Sequence, residues 1–231
     1  MNTLRSERVA MLLDRLHRDA ELADGGLMEE IVAGMEASGR TIEQLAAQMI
    51  ADEQADTRAV YRSHADHFLS VSPGYGRFLY AMARACRATR IVEFGTSMGI
   101  SAIYLAAALR DNGGGLLIGT ELEATKVARA RAHIDAAGLA DLVEIREGDA
   151  RQTLDHIDGP VDMLHIDGAW SLYLPILKLV EPRLRGGSVV LAENAFAEDY
   201  LNYIRDAEHG YLSQPLPLDE GRGNDFAVKI N

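Results

Sequence analysis

The sequence predicts an α/β chain, a mostly parallel seven-stranded sheet that closes with a C-terminal antiparallel hairpin and is preceded by N-terminal helices. Three observations carry this. From Ser72-Pro73 to about residue 208, short apolar runs alternate with helical segments, the texture of a parallel sheet with right-handed crossovers. At its start, Ile91-Val92-Glu93-Phe94-Gly95-Thr96-Ser97-Met98-Gly99-Ile100-Ser101 passes from strand through a glycine turn into a helix. Ahead of it, residues 1–70 show helical periodicity and no strand pattern.

In that helical preface, Leu4, Val9, Leu12, Leu13 and Leu16 recur at helical spacing, as do Ile42, Leu45, Met49 and Ile50. Asp24-Gly25-Gly26 is expected to separate two helices and Ser38-Gly39-Arg40-Thr41 two more, with Thr41 and Gln44 suited to a capping box. The chain then divides into an N-terminal helical region, 1–70, and a ligand-binding domain, 71–231. A helix over residues 75–85 leads to strands expected at 90–94, 116–121, 143–147, 161–166 and 188–192. The clearest helix between them, 124–137, is rich in alanine and arginine and stops at Gly138. Residues 211–216 and 225–230 form the closing hairpin, joined by Asp219-Glu220-Gly221-Arg222-Gly223-Asn224.

Composition narrows the function. A formal net charge of -12 over 231 residues argues against a surface that tracks a phosphate backbone, so nucleic acid is not an expected partner. Arg5, Glu7, Arg8 and Asp14 deny the N-terminus the apolar core of a signal peptide, and no run is long enough to span a bilayer; no membrane association and a cytoplasmic location are expected. Cys86 is the only cysteine, which excludes an internal disulfide, and it reads as a packing residue.

In an open α/β sheet, ligands lie across the carboxyl ends of the strands. The first strand is followed by Gly95, Thr96, Ser97, Gly99 and Ser101, and it contains Glu93. The glycines let the backbone approach a ligand, and the free N–H groups of the next helix suit an anionic group. The second strand ends at Glu121, roughly twenty residues beyond the glycine loop, where a carboxylate can accept from both hydroxyls of a ribose. The third leads to Gly148-Asp149-Ala150, an acid and helix start suited to an adenine edge. The fourth and fifth lead to Asp167 and to Glu193-Asn194. An acid at a strand end also serves as a helix cap, and that reading stands beside the other for Glu121 and Asp149. The spacing Glu-x-Gly-x-x-x-Gly is neither the Gly-x-Gly-x-x-Gly of a dinucleotide fold nor a phosphate loop.

Taken in order, these motifs resemble the class I S-adenosylmethionine (SAM) dependent O-methyltransferases of the catechol and caffeoyl-CoA type. The likeness covers residues 68–231 and includes Ser72-Pro73-Gly74-Tyr75-Gly76-Arg77-Phe78-Leu79, the Glu93–Ser101 loop, Glu121, Gly148-Asp149-Ala150, Ile166-Asp167-Gly168 and Ala192-Glu193-Asn194. It implies a Rossmann-like methyltransferase fold, with Val71 and the loop Glu93, Gly95, Thr96, Ser97 and Gly99 holding the methionine part of SAM and Ser101 its carboxylate. Glu121 then binds the ribose, and Asp149 with Ala150 faces the adenine. Asp167, which also borders the cofactor, is the catalytic residue and with Glu193 and Asn194 falls where the family holds a divalent metal, usually Mg2+. The N-terminal helices are expected to cover the site of a small, aromatic, vicinally oxygenated acceptor and to form a homodimer.

Two positions depart from that pattern. The family usually has aspartate where Glu193 stands, and many members carry a general-base lysine where this chain has Trp170, which takes no proton. The metal alone suffices, another group replaces the lysine, or the acceptor is unusual. A metal-independent methyltransferase and a SAM-binding protein without catalysis are the rival readings. His64 and His67 lie just upstream of Val71 and are read first as exposed residues on a polar helix. His165 is read as a packed or hydrogen-bonded core residue, and Trp170 as an aromatic wall or simple packing.

Overall fold

A computed structural model describes residues 2–219 and 223–231. The expected hairpin connection at Glu220, Gly221 and Arg222 lies outside the described residues. Helices α1 (Glu7–Ser38), α2 (Ile42–Ser63) and α3 (Pro73–Ala85) precede β1 (Arg90–Phe94). Then follow α4 (Ile100–Asn112), β2 (Leu116–Glu121), α5 (Ala124–Ala137), β3 (Val143–Glu147), α6 (Ala150–Thr153), β4 (Val161–Ile166), α7 (Tyr173–Val180), β5 (Leu184–Ala192), α8 (Glu198–Arg205), β6 (Tyr211–Pro215) and β7 (Asp225–Lys229). The first four strands and α5 have the boundaries expected from the sequence.

The expected break at Asp24-Gly25-Gly26 is overturned: α1 runs unbroken through it. Each helical glycine costs only about 1 kcal/mol relative to alanine, and the flanking Ala20-Glu21-Leu22-Ala23 and Leu27-Met28-Glu29-Glu30 favour helix. Ser6 caps the start by accepting from Val9 N–H, and Gly39, left-handed at φ 64°, ends it. The second break holds, with the Thr41–Gln44 capping box formed in both directions. Helix α2 kinks at Asp56 (φ -158°, ψ 86°), whose carboxylate accepts from Ala59 N–H and restarts the helix.

The seven strands run in the order β3-β2-β1-β4-β5-β7-β6. The first five are parallel, and β7 lies antiparallel between β5 and β6. Strand β5 starts at Leu184, earlier than expected, because Gly186-Gly187 is taken up in the strand, Gly187 at φ 92°. Two apolar layers cover the sheet. On one face, Val9, Leu13 and Leu16 of α1 pack with α3, α4 and α5; on the other, α6, α7 and α8 pack over Val92, Leu164 and Val190. The chain adds strands to one side of β1 and then crosses to β4, so the order reverses between β1 and β4. That switch point opens a crevice at the carboxyl ends of these two strands.

Candidate functional site

At the crevice, Phe94 pairs with Ile166, which sets Gly95 beside Asp167, and Asp167 N–H donates to the Phe94 carbonyl at 2.8 Å. Gly95 has φ 92°, and a Cβ there would collide with the Asp167 carbonyl oxygen. The glycine therefore serves a close approach of two backbones. Gly99, at φ 89°, opens α4 and packs against Ala130.

A cavity of about 560 Å³ lies over these strand ends, and Gly95, Ser97, Glu121, Asp149, Ala150 and Asp167 all line it. Leu69, Gly95, Ser97 and Asp167 also border a small adjoining cleft, whose other walls include Val71, Thr96 and Ser101. Nine of the thirteen residues picked from the sequence thus line these two spaces. Glu93, Gly99, Glu193 and Asn194 are not among the lining residues; Glu93 and Glu193 are buried behind the wall.

Glu121 accepts from Ser97 N–H at 2.8 Å and Glu123 N–H at 2.9 Å. Burial pushes its pKa up, opposed by those N–H groups and by the Lys126 ammonium. Lys126, itself 3% exposed, donates to Ser97 Oγ at 3.3 Å. Burial lowers its pKa, and Glu121, Asp24 and Glu123 raise it. Ser97 sits at φ 46° and donates its hydroxyl to the Phe68 carbonyl at 2.5 Å, so this one residue joins the glycine loop, β2, α5 and the segment before α3. Asp149 caps α6 through Arg151 N–H and pairs with the Arg151 guanidinium at 2.6 Å. The side-chain hydrogen bond from Arg151 is the main cause holding its carboxyl below the usual range.

Behind Asp167, donor atoms of His165, Asp167 and Glu193 lie within 4.8 Å of one another. His165 Nδ1 is 3.4 Å from Glu93 Oε1, both residues fully buried, as a hydrogen-bonded core histidine should be. The Tyr75 ring lies 6.0 Å from that imidazole, and its hydroxyl is pushed well up by burial and then by Glu193 and Asp167. Asn194 has φ 52°, and its N–H donates to Asn224 Oδ1. Asp167 and Glu193 offer carboxylate oxygens, a donor set that fits a hard divalent cation.

Helix α2 supplies the side of the cavity that motif reading does not reach. Glu53, 1% exposed, accepts from Trp170 N–H at 3.2 Å, Ser171 N–H at 2.7 Å and the Tyr61 hydroxyl at 2.8 Å. Glu53, Thr57, Arg58 and Tyr61 line the cavity. On a mostly polar helix they look like a solvated face. Lys126 is likewise hidden within an alanine-rich helix. The Trp170 ring packs edge-on against Phe196 at 5.3 Å. His64 and His67 follow the end of α2 rather than lying on a polar helix face, half-buried with rings 5.6 Å apart.

A Rossmann-like sheet with an acid-and-glycine loop after its first strand fits the nucleoside-binding α/β domains, and the comparisons with known proteins narrow that class. Residues 92–195 match a family model described as a methyltransferase domain. A catechol O-methyltransferase of Niastella koreensis is 37% identical over 134 residues, covering 56% of this chain and 60% of that protein. One of Mycobacterium tuberculosis is 30% identical over 153 residues, covering 65% and 69%. The first match thus spans less than two thirds of its relative. Among solved structures, an O-methyltransferase from Bacillus cereus in complex with SAH has TM-score 0.64 at 24% identity, covering 79% of this chain and 90% of that one. An O-methyltransferase from Streptomyces achromogenes involved in tomaymycin synthesis, in complex with SAM, also has TM-score 0.64 and 24% identity, with 76% and 91% covered. The chain belongs to the class I SAM-dependent O-methyltransferases of the catechol and caffeoyl-CoA type.

Proposed function

We propose that this protein transfers a methyl group from SAM to a hydroxyl of a small, aromatic, vicinally oxygenated acceptor, with a divalent cation, Mg2+ in the simplest case, held by Asp167, Glu193 and Asn194. The observation that carries the reading is the position of Asp167, which borders both the cavity and the adjoining cleft and gathers with Glu193 at the ends of β4 and β5. In this reading Glu121 exchanges its N–H partners for ribose hydroxyls, Asp149 and Ala150 flank the adenine, and Val71, Gly95, Thr96, Ser97, Gly99 and Ser101 form the methionine end with Glu93 beneath it. When bound, a divalent cation acidifies a hydroxyl within its reach, and SAM supplies an electrophilic methyl group. The chain contributes alignment, with α2 walling one side of the strand ends, while Trp170 offers no basic atom to take the proton.

The helical region 1–70 is proposed as the acceptor cover, which the contribution of α2 to the cavity supports. Exposed Met11 and Leu22 on α1 are consistent with a homodimer. Among the described residues no helix is long and apolar enough to cross a membrane; a cytoplasmic setting for a small-molecule enzyme, without a nucleic-acid partner, completes the proposal.

The test is calorimetric titration of Mg2+ into protein saturated with SAM, beside Glu193→Ala, with methyl transfer to catechol followed by product mass. Binding that is lost in the variant and transfer that stops on chelation are expected. Transfer that survives chelation moves the reading to a metal-independent methyltransferase. SAM binding without transfer to any catechol overturns the enzymatic reading.

A further inference from the structure

We propose that His165 is a metal ligand in this protein, so that the centre is a mixed nitrogen and oxygen site for a first-row divalent transition ion in preference to Mg2+. The inference rests on the metal reading above and changes its donor set. Three observations carry it.

The first is topological. His165 lies opposite Glu93 on β1 and Leu191 on β5, and Asp167 and Glu193 come two residues on, just past the ends of β4 and β5, where Asp167 N–H to the Phe94 carbonyl and Glu193 N–H to the Ile166 carbonyl continue the ladder. Side chains two apart on a strand share a face. The sheet therefore lines up Glu93, His165 and the two carboxylates on one side of β1, β4 and β5, at the end where the cavity opens.

The second is the state of the imidazole. Its Nδ1 is hydrogen-bonded to the Glu93 carboxylate, while Nε2 is buried with no hydrogen-bond partner. An unpaired buried ring nitrogen is costly. Ligating histidines usually donate one N–H to a carboxylate, which fixes the tautomer and leaves the other nitrogen for the ion. Glu93 and His165 have that relationship, and the Tyr75 ring packs against the imidazole.

The third is Glu193. Its side chain is one methylene longer than the aspartate of the family pattern, which extends its reach, and its carboxylate, Asp167 and His165 have donor atoms within 4.8 Å of one another. Three donors sharing one ion at about 2.1 Å lie about 3.0–3.6 Å apart, a trans pair about 4.2 Å, so side-chain adjustments on the order of an ångström bring the three together. An imidazole in the set moves preference from Mg2+ toward transition ions.

The deciding experiment uses the full chain with SAM bound. Mn2+ and Mg2+ are titrated by calorimetry, and the Mn2+ form is examined by pulsed electron paramagnetic resonance for coupling to a directly bound nitrogen. At least a tenfold preference for Mn2+ and an imidazole nitrogen coupling are expected, both lost in His165→Leu. Mn2+ binding without that coupling overturns the inference and leaves the oxygen-only centre of the proposed function standing. Retained SAM binding with no uptake of either ion overturns both. The spectrum of the unaltered protein decides the matter even if His165→Leu fails to fold.

Discussion

The Glu53 carboxylate of α2 stands 2.7 Å from the backbone nitrogen of Ser171, in the turn that follows Asp167. With the Trp170 N–H and the Tyr61 hydroxyl, it ties the helical preface to the segment behind the strand-end acid across more than a hundred residues of chain. Glu53→Ala leaves those half-buried N–H groups without their acceptor. A stability loss of about 1–3 kcal/mol is expected, with faster hydrogen exchange at Trp170 and Ser171. Unchanged exchange there would show that α2 does not hold the turn.

Glu121 carries a pH signature. Burial raises its pKa, so its ionised form costs folding stability once the pH exceeds the unfolded value, and that cost is complete above the folded value. Ribose hydroxyls need the ionised carboxylate as acceptor. SAM affinity is therefore expected to fall as the pH drops through the raised pKa, above the range of an exposed glutamate. Lys126→Met removes the opposing cation and is expected to move that midpoint higher still; a midpoint unmoved in a calorimetric pH series would refute the coupling.

Glycines separate site from scaffold. Gly95→Ala puts a methyl group into the Asp167 carbonyl at a positive φ and is expected to abolish SAM binding. Gly25→Ala and Gly26→Ala meet nothing within 4 Å inside α1 and are expected to raise stability by about 1 kcal/mol each without changing SAM affinity, read by thermal unfolding and calorimetry.

Asp162 anchors the far end of the sheet. One carboxylate oxygen accepts from Thr89 N–H at 2.8 Å, the Thr89 hydroxyl at 2.9 Å and Arg90 N–H at 3.0 Å, while Arg185 pairs with the other. Burial pushes its pKa up, but these donors prevail and hold it below the usual carboxylate range. Its stabilisation is present above the unfolded pKa and is lost as the pH falls through the folded one. Asp162→Asn is expected to cost about 1.5–3 kcal/mol near neutrality and little at strongly acidic pH; an equal loss at both would rule out the charge as the cause.

Strand periodicity, glycine turns and acids at strand ends are local signals, and they located β1 to β4, α5 and the strand-end side of the cavity wall. The helix through Asp24-Gly25-Gly26 was misread because two glycines weaken a helix without ending it when strong helix formers flank them. Glu53 and Lys126 escaped because Trp170, Ser171 and Ser97 are distant from them in sequence, and Tyr61 with them because an acid, lysine or tyrosine within a polar helix carries no mark of burial.

The sequence by itself determined the sheet, the order of its motifs and the acid-and-glycine pattern of the methyltransferase family, because these depend on periodicity and backbone conformation over a few residues. Only the tertiary structure decided that α2 closes the cavity through Glu53, that Lys126 is buried toward Glu121, and that His165 meets Glu93, Asp167 and Glu193. Those outcomes depend on strand register and helix placement, which bring together groups that no local pattern connects.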